Sequence, residues 1–514
     1  ADRDVRPLAP ASLVPTVEDM ERHLMVLTVG VLALTAASCT SANNGSPSEP
    51  VGRGDGSMGR AGIAAGAEAP AIPNLDPVDD LTAADLDEVH LSYAPEVPPP
   101  IDRTDQRTFE VHLEVVETIC PLDPASGTST ETWGYRRAGD DHVQCGSPGP
   151  VIRGRVGDLV HIVLTNPPGN LQAHNIDFHA VTGQGGGAAG LTVAPGDTGR
   201  IDVRLLYPGV FMYHCAYGDV PKHIAHGMYG MFIVDPPSPL PPADHEWAVM
   251  QSEWYVDEAD QQGLARYDAE SLTAENPRWV TFNGRTDALV GDHALHMSVG
   301  ERARFYLVNE GLNLASNWHP IGSHWDVVRP EGATHPDNPV IRGSQSTLVV
   351  AGGGTITELV GFVPSTVILV DHALVRTFVK GAIGQVVVDG PPDPEIYAEP
   401  QVAQTTTTAP NPAGALTVSM PDGAWNPANA DTAYLPAEIR VEIGDTVTWI
   451  NDDTVIHTVT SGTSTGVVTT ADDLFGSGPM APGDSFSHTF TEAGTFDYFC
   501  TPHPWMTGTV VVDG

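Results

Sequence analysis

The sequence predicts an all-β protein built from three Greek-key β-sandwiches in tandem. Its 514 residues suit about three domains of roughly 100–200 residues each. One pattern occurs three times: a glycine and an acidic or polar turn, then an apolar, β-branched strand that ends in asparagine, as expected for such sandwiches. The three copies are 157–166, 300–309 and 444–451. A second pattern, Pro-Gly-Asp, leads to a strand that ends in cysteine at 195–197 and at 482–484.

Composition divides the chain further. The segment before the last repeat contains several prolines and four consecutive threonines, which is typical of a linker. The predicted organisation is an upstream extension with a signal or lipoprotein segment (1–39), a disordered tether and N-terminal arm (40–95), the first sandwich (96–238), the second (239–390), the linker (391–414) and the third sandwich (415–514).

The N-terminal segment indicates export. The apolar run 24–37 follows Arg22 and His23 and is too short for an ordinary transmembrane helix. It ends in Ala-Ala-Ser-Cys, which resembles a bacterial lipoprotein cleavage box with Cys39 as the lipid-carrying residue. We therefore expect a protein at the periplasmic or extracellular face, with a lipid anchor favoured over a free secreted form.

The charge balance narrows the possible partners. Aspartate and glutamate outnumber lysine and arginine by 65 to 24, which gives a formal net charge of −41. Such acidity argues against nucleic acid and against anionic membrane surfaces as partners. Contact with a membrane is therefore expected only through the lipid anchor.

Two segments place metal-ligating side chains on opposite faces of a strand pair. Neighbouring side chains on a strand alternate between its two faces, so Cys215 and His214 point in opposite directions. His174 is an odd number of residues from both Asp177 and His179 and faces away from them. One face is therefore predicted to carry His174 and Cys215, and the other Asp177, His179 and His214.

The first face can be completed from the residues that follow it, His223 and Met228. A thiolate, two imidazoles and a thioether are the ligands of blue-copper electron-transfer sites. A buried structural cysteine with surface histidines is the alternative, but a second copy of the set in the third sandwich argues against it. The residues of that second set are His457, Cys500, His503 and Met506.

These motifs resemble those of copper-containing nitrite reductases with two cupredoxin domains, over roughly residues 95 to 400. The short C-terminal loop resembles that of amicyanin- and plastocyanin-like carriers. The resemblance implies three cupredoxin-like sandwiches. It also implies type 1 copper on His174, Cys215, His223 and Met228, type 2 copper on His179, His214 and His372, and a further type 1 copper on His457, Cys500, His503 and Met506.

The same resemblance implies the catalytic residues and the assembly. Asp177 matches the active-site aspartate, and Trp-His-Pro-Ile-Gly matches the segment that carries the catalytic His319 and the pocket residue Ile321. His324 is a second candidate, but the His-x-Ile-Gly pattern fits only His319. In this family the third type 2 ligand, here His372, comes from a neighbouring subunit, so we expect a homotrimer.

Two residues near the first blue site depart from the family pattern or lack a role in it. Lys222 stands before His223, where a hydrophobic residue is commoner, and it could alter the surface through which electrons enter. His226 lies between two ligands, and we expect it to face solvent.

The remaining cysteines predict a disulfide. Of five cysteines, Cys39 would carry lipid, and Cys215 and Cys500 would bind metal. Cys120 and Cys145 are left, and in an oxidising compartment they most simply pair with each other. Two free buried thiols are the alternative.

The implied function is that of a dissimilatory-type nitrite reductase, which reduces nitrite by one electron to nitric oxide and water at type 2 copper. Electrons would come from a cupredoxin or cytochrome c, through the fused domain and the first blue site. A laccase-like multicopper oxidase is one alternative, but its His-Cys-His signature is not met because Ala216 follows Cys215. A non-catalytic copper electron carrier is the other, and it would not need Asp177, His319 and His372 together.

Overall fold

The computed structural model describes residues 72–398, 416–455, 457–464, 469–478 and 480–514. In this part of the chain the all-β prediction is confirmed, with thirty strands and three short helices: α1 (Val220–Ala225), α2 (Ala269–Thr273) and α3 (Leu374–Phe378). Within those ranges, no helix combines the length and apolarity needed to cross a membrane. The expected lipoprotein segment with Cys39, residues 40–71 of the tether and residues 399–414 of the linker lie outside the described residues.

The first sandwich consists of two facing sheets. Its strands are β1 (Thr82–Ala83), β2 (Leu91–Ser92), β3 (Arg107–Asp123), β4 (Thr128–Arg137), β5 (Val151–Arg155), β6 (Leu159–Thr165), β7 (Asp177–Phe178), β8 (Thr198–Arg204), β9 (Gly209–His214) and β10 (Tyr229–Asp235). One sheet has the order β4-β3-β6-β8, with β1 beside β3, and the other has the order β2-β5-β10-β9-β7. Because β1 and β2 join these sheets, residues 72–95 form an arm that pairs with the first sandwich rather than a free tether.

The second sandwich follows the same plan. Its strands are β11 (His245–Trp254), β12 (Leu264–Ala265), β13 (Trp279–Phe282), β14 (Leu295–Ser298), β15 (Arg302–Asn309), β16 (Ser316–Ile321), β17 (Trp325–Arg329), β18 (Ile341–Ser344), β19 (Thr347–Val349), β20 (Gly354–Val360), β21 (Ser365–Asp371) and β22 (Ile383–Asp389). The sheet orders are β13-β11-β15-β20-β17-β18 and β14-β22-β21-β16-β19, while β12 extends the first sandwich beside β4.

The third sandwich is smaller. Its strands are β23 (Leu416–Met420), β24 (Glu438–Glu442), β25 (Thr446–Asn451), β26 (Thr460–Ser464), β27 (Thr469–Gly476), β28 (Ser485–Thr489), β29 (Gly494–Phe499) and β30 (Thr507–Asp513). They form the sheets β23-β25-β28 and β24-β30-β29-β26-β27. Apolar side chains alternate along β25, so Val447 and Trp449 enter the core.

The threefold sequence repeat forms the same corner in each sandwich. Its glycine has a φ of 92–97°, which only glycine adopts readily, at Gly157, Gly300 and Gly444. Its asparagine is buried and donates from Nδ2 to two backbone carbonyls at 2.8–3.2 Å, at Asn166, Asn309 and Asn451. In the first sandwich, the Val193 carbonyl also accepts from the backbone N–H of His174. In the third sandwich, the Met480 carbonyl also accepts from the backbone N–H of His457. The corner therefore positions the first histidine of each blue site.

The first two sandwiches pack against each other. Apolar residues of β5, β9 and β10 form one cluster with those of β11, β15 and β20. Beside this cluster, Arg153 binds Asp235 at 2.8 Å and Glu246 at 2.6 Å, and Arg304 pairs with Glu246 and Glu358. Each of these buried charges has a partner of opposite sign, as their burial requires. The relative positions of the two sandwiches are thus held by both apolar and ionic contacts.

The structure joins Cys120 and Cys145 in a disulfide with a Cα–Cα distance of 5.8 Å. Cys120 lies on β3, and Cys145 lies in the loop after β4. Cys215 and Cys500 are the free cysteines of the described residues, and both are buried.

Candidate metal centres

The first blue site gathers its ligands at one end of the first sandwich. Cys215 directly follows β9, and His223 lies in α1. The Nδ1 atoms of His174 and His223 are 3.1 Å apart. The Cys215 Sγ lies 3.9 Å from the His174 Nδ1 and 3.3 Å from the His223 Nδ1. Met228 is fully buried, and its carbonyl accepts from the backbone N–H of Cys215.

These spacings fit a single copper ion. Two ligand nitrogens at about 2.0 Å from one ion, near tetrahedral geometry, are roughly 3 Å apart. Burial and the neighbouring His174 lower the pKa of His223 to about 4, which keeps its lone pair free. Burial raises the pKa of the Cys215 thiol, so the metal must displace its proton on binding. Thiolate, imidazole and thioether donors together suit copper.

The C-terminal set forms the same arrangement. The Cys500 Sγ lies 3.6 Å from the His457 Nδ1 and 3.4 Å from the His503 Nδ1, and the two nitrogens are 3.0 Å apart. Burial and His457 lower the pKa of His503 to about 4, while burial raises the pKa of Cys500 to about 11. Met506 is buried, and its carbonyl accepts from the N–H of Cys500. The third sandwich therefore holds a second donor set that fits copper.

Residues outside the predicted sets orient the ligands. In both blue sites, the residue that follows the first histidine accepts a hydrogen bond from the backbone N–H of the residue that follows the cysteine. In the first site Asn175 accepts from Ala216 at 2.8 Å, and in the C-terminal site Thr458 accepts from Thr501 at 2.7 Å. The sequence analysis did not identify this pairing. Its only signal is the repeated position directly after the first histidine.

A carboxylate lies behind the first histidine of each blue site. The Glu117 Oε1 is 3.0 Å from the His174 Nε2, and the Asp453 Oδ2 is 2.8 Å from the His457 Nε2. Burial opposes ionisation of Asp453, but hydrogen bonds from His457 and from the Thr454 backbone outweigh it and lower the pKa of this carboxyl. The sequence analysis missed both carboxylates.

The opposite face carries the first half of the predicted type 2 site. Ligand atoms of Asp177, His179 and His214 lie within 4.8 Å of one another, and the two histidine Nε2 atoms are 3.2 Å apart. Strand β7 covers only two residues. Its Asp177 nevertheless pairs directly with His214 on the neighbouring strand β9, so the two side chains lie on the same face as predicted. Burial and the neighbouring His214 lower the pKa of His179, which favours the neutral imidazole that binds metal.

The second half of the site lies on the second sandwich. On β16, residues alternate between the core and the surface, so His319 and Ile321 share the outer face. The His319 ring is 5.1 Å from the His372 ring, and the His319 Nδ1 donates to the Gln345 carbonyl at 2.5 Å. His324 is exposed on the following turn. The structure therefore brings His319, rather than His324, beside His372.

Asp371 positions the segment that carries His372. Its buried carboxylate binds Arg376 at 2.6 Å and accepts from the backbone N–H groups of Asn317 and Ala373. The N–H of His372 donates to the Asn317 carbonyl at 2.8 Å. Because the contact with Asn317 spans 54 residues, the role of Asp371 could not be predicted from the local sequence.

The expectation that His226 faces solvent is wrong. His226 is only 4% exposed, and its ring stacks on that of Trp133 with centroids 4.0 Å apart. Trp133 also meets the ring of His223 edge-on at 4.9 Å, and the Lys222 Nζ lies 5.5 Å from the Trp133 ring centre. The aromatic face of Trp133, which comes from β4, therefore covers His226 and shields the blue site.

Gly186 lies against the Asp177 carboxylate. A Cβ at position 186 would lie 1.9 Å from the Asp177 Oδ1, and Gly186 has a φ of 54°. We therefore expect Gly186→Ala to displace Asp177 and lower turnover at this centre roughly ten- to a hundredfold, because small displacements of reacting groups are costly. The blue absorption band should remain. Turnover and copper content of the purified variant measure both effects.

Gly185→Ala is the matched control. Gly185 has nearly the same φ, 55°, but its Cβ would have only an ordinary contact with Ala188 at 3.7 Å. Equal losses in the two variants would show that backbone strain, and not displacement of Asp177, causes the effect.

The chain is similar to several copper proteins. Residues 121–238 match the family of multicopper oxidases, and residues 423–513 match copper-binding proteins of the plastocyanin/azurin family. The copper-containing nitrite reductase of Neisseria meningitidis serogroup A is 41% identical over 309 residues, 60% of this chain and 76% of that protein. The enzyme of Neisseria gonorrhoeae is also 41% identical over 309 residues, 60% of this chain and 75% of its own. A solved copper nitrite reductase from Nitrosomonas europaea is 33% identical, covering 56% of this chain and 96% of that one, with a TM-score of 0.48.

The match to the two Neisseria enzymes extends over 309 residues, and the plastocyanin/azurin match covers residues 423–513. Similarity of this extent favours an enzyme over a simple carrier, and it supports copper as the metal cofactor. The chain belongs to the copper-containing nitrite reductases, with type 1 and type 2 copper and an additional C-terminal blue-copper domain.

Proposed function

We propose that the protein reduces nitrite to nitric oxide and water, consuming one electron and two protons for each nitrite. The observation that carries this proposal is the adjacency of two different donor sets. Cys215 belongs to the blue site, and His214, joined to it by one peptide bond, belongs to the group with Asp177 and His179. An electron-transfer centre and a substrate centre are thereby linked through neighbouring residues.

The residues around the second centre suit proton delivery. Type 2 copper, when bound, supplies a Lewis acid for the nitrite anion and the site at which it is reduced. The Asp177 carboxyl lies within the ligand group and can hold a proton beside the substrate. His319 donates from Nδ1 to the Gln345 carbonyl, which leaves its Nε2 to bind or pass the second proton. Ile321, on the same face of β16, would limit the space for substrate.

The C-terminal blue-copper domain is the proposed electron donor to the first blue site. A linker of about 20 residues has an r.m.s. reach of roughly 25 Å, which gives a millimolar effective concentration. An aromatic side chain lies against the second histidine of each blue site: Tyr217 is 6.1 Å from His223, and Trp505 is 5.4 Å from His503. Tyr217 is also exposed. Such surfaces suit short-lived docking between the two domains, while an external cupredoxin or cytochrome c reduces the C-terminal site.

We further propose a homotrimer in which His372 of one subunit completes the site of its neighbour. The group of Asp177, His179 and His214 does not include His372, which lies beside His319 instead. Apolar side chains surround this second half-site on the surface, among them Leu348, Val350, Leu374, Val375 and Phe378. A second copy of the chain would bury them and join the two halves.

Val375→Asp tests this assembly. Val375 is 64% exposed in the single chain, and a buried, unpaired carboxylate in the interface should dissociate the trimer. We expect light scattering to show monomers at micromolar concentration and copper analysis to show loss of the type 2 ion alone. Leu86→Asp, at another exposed apolar residue, should leave the trimer intact. A trimer with full type 2 occupancy in the Val375 variant would contradict the proposal.

Export is proposed on three grounds: the apolar segment before Cys39, the acidic composition and the Cys120–Cys145 disulfide. Disulfides persist in oxidising compartments. Metabolic labelling with a fatty acid would test lipidation, since Cys39→Ser should abolish incorporation.

The decisive experiment for the activity is anaerobic nitrite turnover of copper-loaded protein with a generic reductant, with nitric oxide detected directly. One nitric oxide for each nitrite and each electron supports the proposal. Dioxygen reduction without nitrite consumption would favour a multicopper oxidase, and no turnover with either substrate would favour an electron carrier.

A further inference from the structure

Both blue-copper pockets hold the first histidine ligand between the metal position and a carboxylate. The His174 Nε2 contacts Glu117 at 3.0 Å, and the His457 Nε2 contacts Asp453 at 2.8 Å. The two carboxylates occupy different places in the sandwich: Glu117 lies on β3, 57 residues before its histidine, whereas Asp453 follows β25, four residues before its own. The chain therefore forms the same carboxylate–histidine contact from two different positions in the sandwich, which indicates that the contact itself matters.

Backbone N–H groups surround each carboxylate and donate to it. Glu117 accepts from the backbone N–H groups of Leu171 and Gln172, both at 2.9 Å. Asp453 accepts from the N–H groups of Gly423 and Trp425 at 3.1 Å and of Thr454 at 2.6 Å. Every one of these partners is a donor, and the carboxylate oxygens act as the acceptors. Each histidine therefore donates from Nε2 and keeps Nδ1 for the metal.

We propose that Glu117 and Asp453 lower the reduction potentials of their two blue coppers, and that Asp453 has the larger effect. A fixed negative charge behind an imidazole strengthens its donation and favours the more highly charged, oxidised metal. The Asp453 side chain is 0% exposed and the Glu117 side chain 9%, so solvent screens the first charge less. Asp453 accepts from three backbone amides and Glu117 from two, and the additional amide dipole partly offsets the negative field of Asp453. It does not reverse the difference between the two sites, because an amide is only a dipole whereas the carboxylate carries a full charge.

The consequence for electron flow rests on the relay proposed above. An electron moves towards the site with the higher potential, so a stronger negative field at the C-terminal copper drives transfer to the first blue site. Asp453 is then a positioning residue that sets the direction of the relay, and Glu117 limits the driving force at the receiving end.

The test is spectroelectrochemical titration of the full-length, copper-loaded protein carrying Glu117→Gln or Asp453→Asn. Cys215→Ser and Cys500→Ser backgrounds isolate the band of each site. Each variant should raise the potential of its own site and leave the other unchanged, with the larger rise for Asp453→Asn. Glu110→Gln, on the same strand as Glu117 and exposed, and Asp452→Asn, the exposed neighbour of Asp453, remove the same charge and should leave both potentials unchanged.

A second readout is the distribution of electrons in half-reduced protein. Asp453→Asn should raise the ratio of reduced C-terminal copper to reduced core copper roughly tenfold, a scale common for residues that orient metal ligands, and Glu117→Gln should lower it. Glu117→Asp and Asp453→Glu, which keep the charge, should restore part of each shift.

An unchanged potential in either variant, or a larger rise for Glu117→Gln than for Asp453→Asn, overturns the inference. If Asp453→Asn does not load copper, Glu117→Gln decides alone, because an unchanged potential there is sufficient to reject it. These potentials do not depend on nitrite turnover. A protein that forms no nitric oxide yet shows both shifts would reject the proposed function and keep this inference.

Discussion

Asp177→Asn and His319→Ala should each lower nitrite turnover about a hundredfold or more while both blue bands persist. A positioned acid or base contributes on this scale, and neither residue belongs to a blue donor set. The amide that replaces the Asp177 carboxyl could not donate a carboxyl proton, and removal of the His319 imidazole deletes the group held by the Gln345 carbonyl. Anaerobic nitric oxide detection measures the rate, and metal analysis shows that the type 2 ion is still present.

Two control variants match these changes. Asp202 is an exposed aspartate bonded to His161 in the same sandwich, so Asp202→Asn removes a similar carboxylate that is outside the ligand group. His324→Ala removes an exposed histidine that follows the same strand as His319. Both controls should keep nearly normal turnover. Nearly normal turnover in the Asp177 and His319 variants would show that protons arrive through other groups.

Cys500→Ser should abolish the thiolate charge-transfer band of the C-terminal site and leave the first blue site intact. The Cys500 thiolate is the only sulfur anion of its donor set, and serine is a poor ligand for copper. With a small artificial reductant that reaches the core directly, turnover should fall little. With a protein donor it should fall at least tenfold, because the tethered relay and its effective concentration are lost.

Cys215→Ser provides the contrast. It removes the first blue site, which lies next to His214, and turnover should therefore collapse with both kinds of donor. If Cys500→Ser kept full turnover with every protein donor tested, the C-terminal domain would not be a relay, and external donors would have to reach the first blue site themselves.

Local spacing predicted which side chains of the two blue sets lie together, because most of each set lies in one short segment. Cys215, His223 and Met228 lie in one loop, and strand alternation separated His214 from Cys215 correctly. The threefold repeat identified the sandwiches because each needs the same corner, with a glycine of positive φ and a buried asparagine.

Contacts between distant segments could not be predicted in this way. Glu117 reaches His174 from another strand, and the Gln345 carbonyl reaches His319 across 26 residues. Nothing in a single sequence specifies such pairs. The wrong expectation for His226 has the same origin, because its burial depends on Trp133, far upstream on β4.

In the proposed trimer, the division of the type 2 ligands between two surfaces would couple binding of the catalytic metal to protein concentration. Each blue site is enclosed within one sandwich, whereas His372 and the pair His179 and His214 meet only when subunits associate in the proposed trimer. Mass action then links copper affinity to assembly. Dilution or a mild chelator would then abolish nitrite reduction before it abolished the blue colour. Unassembled chains would carry electrons without reducing nitrite.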